Sequence, residues 1–249
     1  MKDKEKNTSY VIGRNAVLEL LRSGRSADKL YVKRGEHTGS INVILAEAKK
    51  RHIPISETES AKLDFMADGM AHQGVIASAP EKEYCSVDDI LALAEERGEK
   101  PLIAMADGIE DPRNLGAIIR AAEGAGAHGL IIPKHRAVGL TGVVGKASAG
   151  ALEHLLVARV GNLSDTIEDL KKKGLWIYAA EAGGQLYYEC DMNSPAVLVF
   201  GSEGKGVSRL VREKSDFTVS IPMYGKVNSL NVSTAAAVLL YEAARQHRT

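Results

Sequence analysis

Cysteine is nearly absent from this chain of 249 residues: only Cys85 and Cys190 occur, with no C-x-x-C and no nearby histidine pair. That excludes a disulfide framework and a zinc cluster, so no metal site is expected and a reduced, cytoplasmic protein is the default. Net charge is absent too, 32 Lys and Arg balancing 32 Asp and Glu, which argues against coating nucleic acid through bulk electrostatics. No apolar run approaches the roughly 20 residues that span a bilayer, so no membrane association is expected. The first ten residues, MKDKEKNTSY, are charged and lack the apolar stretch of a secretory signal. H-E-x-x-H does not occur, and Ser148 sits in KASAG rather than in a G-x-S-x-G nucleophile elbow.

What is present is an ordinary globular composition, 45% hydrophobic, long enough for one large domain or two smaller ones. Charge is distributed unevenly, with balances of +3 over residues 1–80, −4 over 81–100 and +1 over 101–249. A boundary is therefore expected near residues 80–100, where Val87, Ile90, Leu91 and Leu93 have the spacing of a short amphipathic helix. Before it, a helix over Ala16 to Leu21, a strand KLYVK, a helical face at Ile41, Ile44, Leu45 and Ala48, a strand near Ile53, a helix after Ser60 and a strand GVIASA predict a small α/β unit. After it the alternation continues: LIAMAD, GLIIP, LVARV, LWIYAAEA, AVLVFG and FTVSIPM read as strands. The helices between them are NLGAIIRAAEGA, TGVVGKASAGALEHL, LSDTIEDLKKKG and GVSRLVREK, with a long terminal helix from about Asn231 to Gln246. Runs such as AVLVFG lack polar alternation, as parallel strands covered on both faces do.

Two nucleotide motifs fail on inspection. Gly124, Gly126 and Gly129 spell G-x-G-x-x-G, but they close a helix and lead into a strand, the reverse of the order that aims a helix N-terminus at a pyrophosphate. In GLTGVVGKA, Gly139 is one position too far from Gly145, and Ala147 replaces the magnesium-binding hydroxyl of a P-loop.

Three segments carry more than a plain fold demands. In DGIEDPRNLGAIIRAAEGAG, residues 107–126, Leu115, Ile118, Ile119 and Ala122 form a buried stripe, with Asn114 at the helix start and Arg120 pointing away. On spacing alone the plain reading, an N-cap and a solvated charge, carries the greater weight. In VLVFGSEGKGVS, residues 197–208, an apolar strand runs into Gly201, Gly204 and Gly206 with Glu203 among them. Such glycines allow close backbone approach to a ligand at the carboxyl edge of a sheet, or simply a tight turn. In IPMYGKVNSLNVSTAAAVLLYE, residues 221–242, Ser229, Asn231, Ser233 and Thr234 are more polar residues than one helix cap requires.

Together and in this order, the three segments closely resemble the motifs of the SpoU, or TrmH-like, branch of the SPOUT methyltransferases. The resemblance covers residues 101–249, and residues 1–80, with IGRNAVLELL and AHQGVIA, resemble the L30e-like substrate-binding domain attached to many members. It implies an α/β fold: a trefoil-knotted methyltransferase domain at 101–249, an acidic connecting segment at 81–100 and an L30e-like RNA-binding domain at 1–80. It further implies S-adenosylmethionine as cofactor, transfer of methyl to a ribose 2′-oxygen of RNA, and a homodimer whose active site is completed across the interface.

Carried over position by position, the resemblance makes Asn114, Arg120, Glu203, Ser229 and Asn231 the catalytic or substrate-positioning group. Gly201, Ile221 and Leu230 would cradle the adenosyl part, with Leu198, Pro222 and Met223 as walls. Arg14, Asn15, His72 and Gln73 are the candidates for touching RNA in the first unit, against the plainer reading of surface or capping residues. Arg120 is often the base in this family, yet a guanidinium normally stays protonated, so base and electrostatic positioner both remain open. Thr234 departs from the aliphatic residue common in the third motif. The attached domain is typical of bacterial enzymes that modify a guanosine of 23S rRNA, which makes rRNA the expected substrate. A tRNA methyltransferase and a non-catalytic ribosome-assembly factor are the alternatives. With Arg113, Arg120, Lys205 and Arg209 expected around the pocket, neutrality overall is compatible with local RNA contacts.

Overall fold

The computed structural model describes residues 8–248, which form two compact units. The first comprises residues up to Glu83 together with Leu140–His154, and the second comprises Tyr84–Gly139 and Leu155 onward.

The first unit holds β1 (Thr8–Ile12), α1 (Arg14–Arg22), β2 (Lys29–Lys33), α2 (Ser40–Lys50), β3 (Ile55–Thr58), α3 (Ser60–Ala67) and β4 (Val75–Pro80). Its four-stranded sheet has the order β1-β4-β2-β3, with only the β2/β3 pair parallel. Alternation along the strands splits the core in two. Leu30, Val32, Val75, Ala77 and Ala79 meet Val17, Leu20, Leu21, Ile41 and Ile44 of α1 and α2, while Ile12 and Ile76 meet Leu63 and Ala67 of α3. β1 is the element that sequence periodicity does not single out.

The second unit holds α4 (Val87–Arg97), β5 (Leu102–Asp107), α5 (Pro112–Gly124) and β6 (Gly129–Pro133), then β7 (Leu156–Val160), α7 (Leu163–Lys172) and β8 (Trp176–Leu186). It ends with β9 (Ala196–Gly201), α8 (Arg209–Lys214), β10 (Phe217–Ser220) and α9 (Val232–His247). Its six strands are all parallel, in the order β10-β8-β9-β5-β6-β7. One face carries Ile90 of α4, Ile167 and Leu170 of α7 and Val211 of α8 against Ile103, Met105, Val197 and Val199. α5 and α9 pack on each other and on β5. Both faces are thus covered, which is why the strands read as continuous apolar runs.

Two expectations need correction. Residues 81–100 do not form a separate connector: Ser86 and Asp89 make a reciprocal capping box that starts α4, and Ile90 is fully buried in the second unit's core. The space for Ile90 comes from Gly129, where a Cβ would lie 2.5 Å from its Cδ1. Nor does TGVVGKASAGALEHL form one helix of the second unit. α6 spans Gly142–Ala147 only, and a left-handed turn at Ala149 and Gly150 (φ +53° and +101°) separates it from a short 3₁₀ turn. The excursion belongs to the first unit because its own contacts lie there. Arg25 donates to both oxygens of Glu153 (2.8 and 2.7 Å), His154 bonds Glu19 at 2.9 Å, and Lys146 Nζ donates to the Ala71 carbonyl at 2.7 Å.

Candidate active site

In the second unit a cavity of about 700 Å³ opens at the carboxyl ends of β8, β9 and β10, beside the start of α9. That is the edge at which parallel α/β sheets bind ligands, and the volume is that of a pocket for a nucleoside-sized molecule. Its walls come from Val219, Ile221, Met223, Leu230, Val232 and Leu239, with Glu181, Glu203, Ser229 and Asn231 adding polarity.

The loop after β9 folds back on itself. Ser202 and Gly206 exchange backbone hydrogen bonds of 3.1 and 2.9 Å, and Gly204 and Gly206 take positive φ (+80° and +66°). At Gly201 a Cβ would sit 2.0 Å from the Gly206 carbonyl carbon and 2.1 Å from Val207 N, so the turn itself forbids a side chain there. The three glycines are therefore first of all what the tight turn demands. The turn's exit is held by two carboxylates, one ending β5 and one within β8 where its apolar run stops: Val207 N donates to Glu181 Oε1 and Ser208 N to Asp107 Oδ2, both at 2.7 Å.

This turn carries Glu203 to its tip, where the three sequence segments meet. Asn114 Nδ2 donates to Glu203 Oε1 at 3.0 Å, and Asn231 Nδ2 donates to Glu203 Oε1 at 2.7 Å and to Asn114 Oδ1 at 3.0 Å. The orientation of Asn231 is fixed by a separate task. As N-cap of α9 its Oδ1 accepts from Ser233 N (2.9 Å) and Ser233 Oγ (2.6 Å), which turns its NH₂ toward the other two residues. Asn114 is not the cap of α5: Asp111 is, accepting from Arg113 N at 2.7 Å, with Pro112 in the first helical turn. The Asn114 amide is thereby available to the triangle. One Glu203 oxygen takes two donors, and the other has no hydrogen-bond partner among the described residues.

Not every expected residue joins this site. Gly201, Ile221, Met223, Ser229 and Leu230 line the cavity, but Leu198 is fully buried inside β9, three residues or about 10 Å short of the sheet edge. Pro222 is not among the lining residues, which are the alternate positions Val219, Ile221 and Met223. Arg120 is exposed on α5, almost two turns beyond Asn114, and no hydrogen bond or ion pair among the described residues links it to the triangle. Glu181 and Asp107 match none of the polar positions named in the three segments. Their signal was present as a lone carboxylate closing an apolar strand run, WIYAAE and LIAMAD.

In the first unit a cavity of about 790 Å³ is lined by Arg14, His72 and Gln73, but not by Asn15, which is exposed on α1. His72 has both ring nitrogens engaged. Nδ1 accepts from Gly74 N at 2.9 Å, so Nε2 carries the proton and donates to Asp64 Oδ1 at 3.0 Å. Gln73 sits in the left-handed region (φ +55°), its carbonyl accepting from Arg14 Nε at 2.9 Å and its Oε1 from Arg14 N at 3.0 Å. His72 and Gln73 thus build the turn that holds Arg14, whose terminal nitrogens have no hydrogen-bond partner among the described residues. Among the described residues no group of His, Cys, Asp and Glu is arranged to hold a metal, and no helix is long and apolar enough to cross a membrane.

Known proteins match both units. The SpoU rRNA Methylase family model matches residues 101–241, and the model for RNA 2′-O ribose methyltransferase substrate binding matches residues 10–85. YacO of Bacillus subtilis, assigned to the TrmH family of tRNA/rRNA methyltransferases, is 48% identical over 238 residues, 95% of each chain. Among solved structures, the SpoU methyltransferase AviRb of Streptomyces viridochromogenes, in complex with AdoMet, superposes with a TM-score of 0.78 at 27% identity, covering 99% of this chain and 94% of that one. An RNA 2′-O ribose methyltransferase superposes with a TM-score of 0.81 at 27% identity, covering 98% and 90%. These matches, over this fold and site, define the class as RNA 2′-O-ribose methyltransferases. The cofactor in the AviRb complex is the one that the three sequence motifs imply. The chain belongs to the SpoU rRNA methylase family.

Proposed function

We propose that this enzyme methylates the ribose 2′-oxygen of a guanosine in 23S rRNA in the cytoplasm, using S-adenosylmethionine bound in the cavity of the second unit. The observation that carries this reading is the Asn114–Glu203–Asn231 triangle at the cavity mouth, one residue from each motif. The cavity suits the cofactor in size and in its mix of apolar wall and a few polar groups. When bound, S-adenosylmethionine supplies a methyl group made electrophilic by its sulfonium. Ile221, Met223 and Leu230 then pack the adenosyl part and exclude water, while Ser229 and the free Glu203 oxygen lie within the mouth to orient the incoming hydroxyl.

Arg120 stands apart from its own triangle, which supports a homodimer in which the arginine of one copy serves the site of the other. A planar guanidinium there would grip the RNA phosphate and stabilise charge developing on the 2′-oxygen. The trefoil knot is part of the same proposal. β10 lies at the sheet's far edge, whereas α9 packs on β9, β5 and α5, so the segment between them returns across the loop ends of the sheet.

Mapping ribose methylation across total RNA from a strain lacking this protein tests the substrate. One missing guanosine mark in 23S rRNA is expected, and a missing tRNA mark would move the substrate to tRNA. Calorimetry tests catalysis as such, since RNA binding with no affinity for S-adenosylmethionine would make the protein an assembly factor.

A further inference from the structure

The first unit's cavity has features that bulk attraction to RNA does not require. Arg14, Lys33 and Arg34 place cations in its lining, offset by Glu36 and Asp64 in the same lining and by the pairing of Arg34 with Glu59 at 2.8 Å, so net charge alone does not make it a phosphate trap. Ile41 and Met70 make apolar wall. Between these sits His37, whose Nε2 is buried and has no hydrogen-bond partner among the described residues. A buried polar atom without a partner is costly, and native proteins satisfy such an atom with an ordered water, an ion or a ligand.

A phosphate alone could use the cations and an imidazole N–H, but would leave the apolar wall idle. An unstacked nucleobase uses all three: flat apolar surface for its face, a ring nitrogen for its edge, and a cation for the adjoining phosphate. Folded RNA is read in this way, at single-stranded positions whose bases splay out of the helix. We infer that this cavity receives one extruded nucleotide of the RNA substrate, its base seated against Met70 and the exposed edge of Ile41 and hydrogen-bonded by His37 Nε2 once the imidazole turns toward it, with Arg14 on the neighbouring phosphate. The inference rests on the reading of the first unit as the RNA-binding unit and adds that this unit selects one unpaired base. Arg14 is suited to its part because Gln73 holds its Nε, and its terminal nitrogens have no hydrogen-bond partner among the described residues.

The test uses the full-length enzyme, 23S rRNA transcribed in vitro, filter binding and methyl transfer. His37→Phe removes the ring nitrogens and keeps the bulk, while the His37 carbonyl that accepts from Asn42 Nδ2 at 2.9 Å is untouched. Ala71→Trp fills the cavity from an exposed position. Both are expected to weaken RNA binding about tenfold, the effect of one unmade hydrogen bond or lost base contact. Turnover at saturating RNA, cofactor affinity and Tm should stay at wild-type values. Lys33→Glu should also weaken binding, but its effect should fade at high salt, whereas the His37→Phe loss persists.

If His37→Phe and Ala71→Trp bind normally while Lys33→Glu and Arg14→Ala do not, the unit binds RNA by charge and the base pocket is overturned. If none of the four changes binding by an otherwise active enzyme, the RNA-binding reading of this unit falls with it. A drop in Tm for His37→Phe, with normal binding by Ala71→Trp, would make His37 a structural residue and also overturn the inference.

Discussion

Asn231 does two jobs that a pair of substitutions separates. Its Oδ1 caps α9, and its NH₂ ties Glu203 to Asn114. Asn231→Ser keeps a capping oxygen and removes the amide donor, whereas Asn231→Ala removes both. The 2.7 Å bond to the Glu203 carboxylate and the 3.0 Å bond to Asn114 both lie at an exposed mouth, so the low end of the charge-assisted range and the central neutral value apply. Taking about 1.5 kcal/mol for the charge-assisted bond and about 1 kcal/mol for the neutral one, their loss amounts to about 2.5 kcal/mol, roughly 70-fold in kcat/KM. Serine caps helices as well as asparagine does, so Asn231→Ser should keep Tm near wild type, while Asn231→Ala, lacking about 1 kcal/mol of cap, should melt roughly 2–4 °C lower. Incorporation of labelled methyl from S-adenosylmethionine into rRNA measures the first effect and scanning calorimetry the second. Asn231→Ser turning over within threefold of wild type would refute the reasoning, because the residue would then be only a cap.

Three further outcomes are expected. Gly201→Ala would force a Cβ to 2.0 Å from the Gly206 carbonyl carbon, and since backbone cannot yield cheaply there, calorimetry should show cofactor affinity lowered at least tenfold. If sites are shared between copies, Arg120→Ala and Glu203→Ala enzymes, each inactive, should recover about a quarter of wild-type activity after denaturation and co-refolding, because half the dimers are mixed and each holds one intact site; no recovery would place Arg120 in its own chain's site. Burial, helped by the Asp191 charge, pushes the Tyr178 hydroxyl up to about 12. The folded state therefore holds this proton more tightly than the unfolded chain does at about 10, so stability is intact below pH 10 and falls by about 2–3 kcal/mol as pH rises to 12. Tyr178→Phe should flatten that alkaline limb of Tm against pH, at the cost of the 2.7 Å bond to the Asp191 carbonyl.

Sequence by itself determined much of the architecture and the family. Strand runs such as LIAMAD and AVLVFG, and the stripe Leu115, Ile118, Ile119 and Ala122, are local patterns, and burial on both sheet faces writes them into neighbouring residues. The backward G-x-G-x-x-G was equally legible, since the order of helix and strand around Gly124–Gly129 is a one-dimensional fact. Three things were decided only by tertiary structure. Which residues bond to which is one: Asn114, Glu203 and Asn231 are 89 and 28 positions apart, and a single carboxylate oxygen joins them. Which side of a segment faces the cavity is another, so Leu198 and Pro222 fall out and Glu181 enters. The last is where Leu140–His154 belongs, because its composition matches either unit and the Arg25–Glu153 pair, 128 residues apart in sequence, assigns it to the first. Periodicity reports whether a residue is buried. The partner it is buried against depends on long-range packing, which no local window contains.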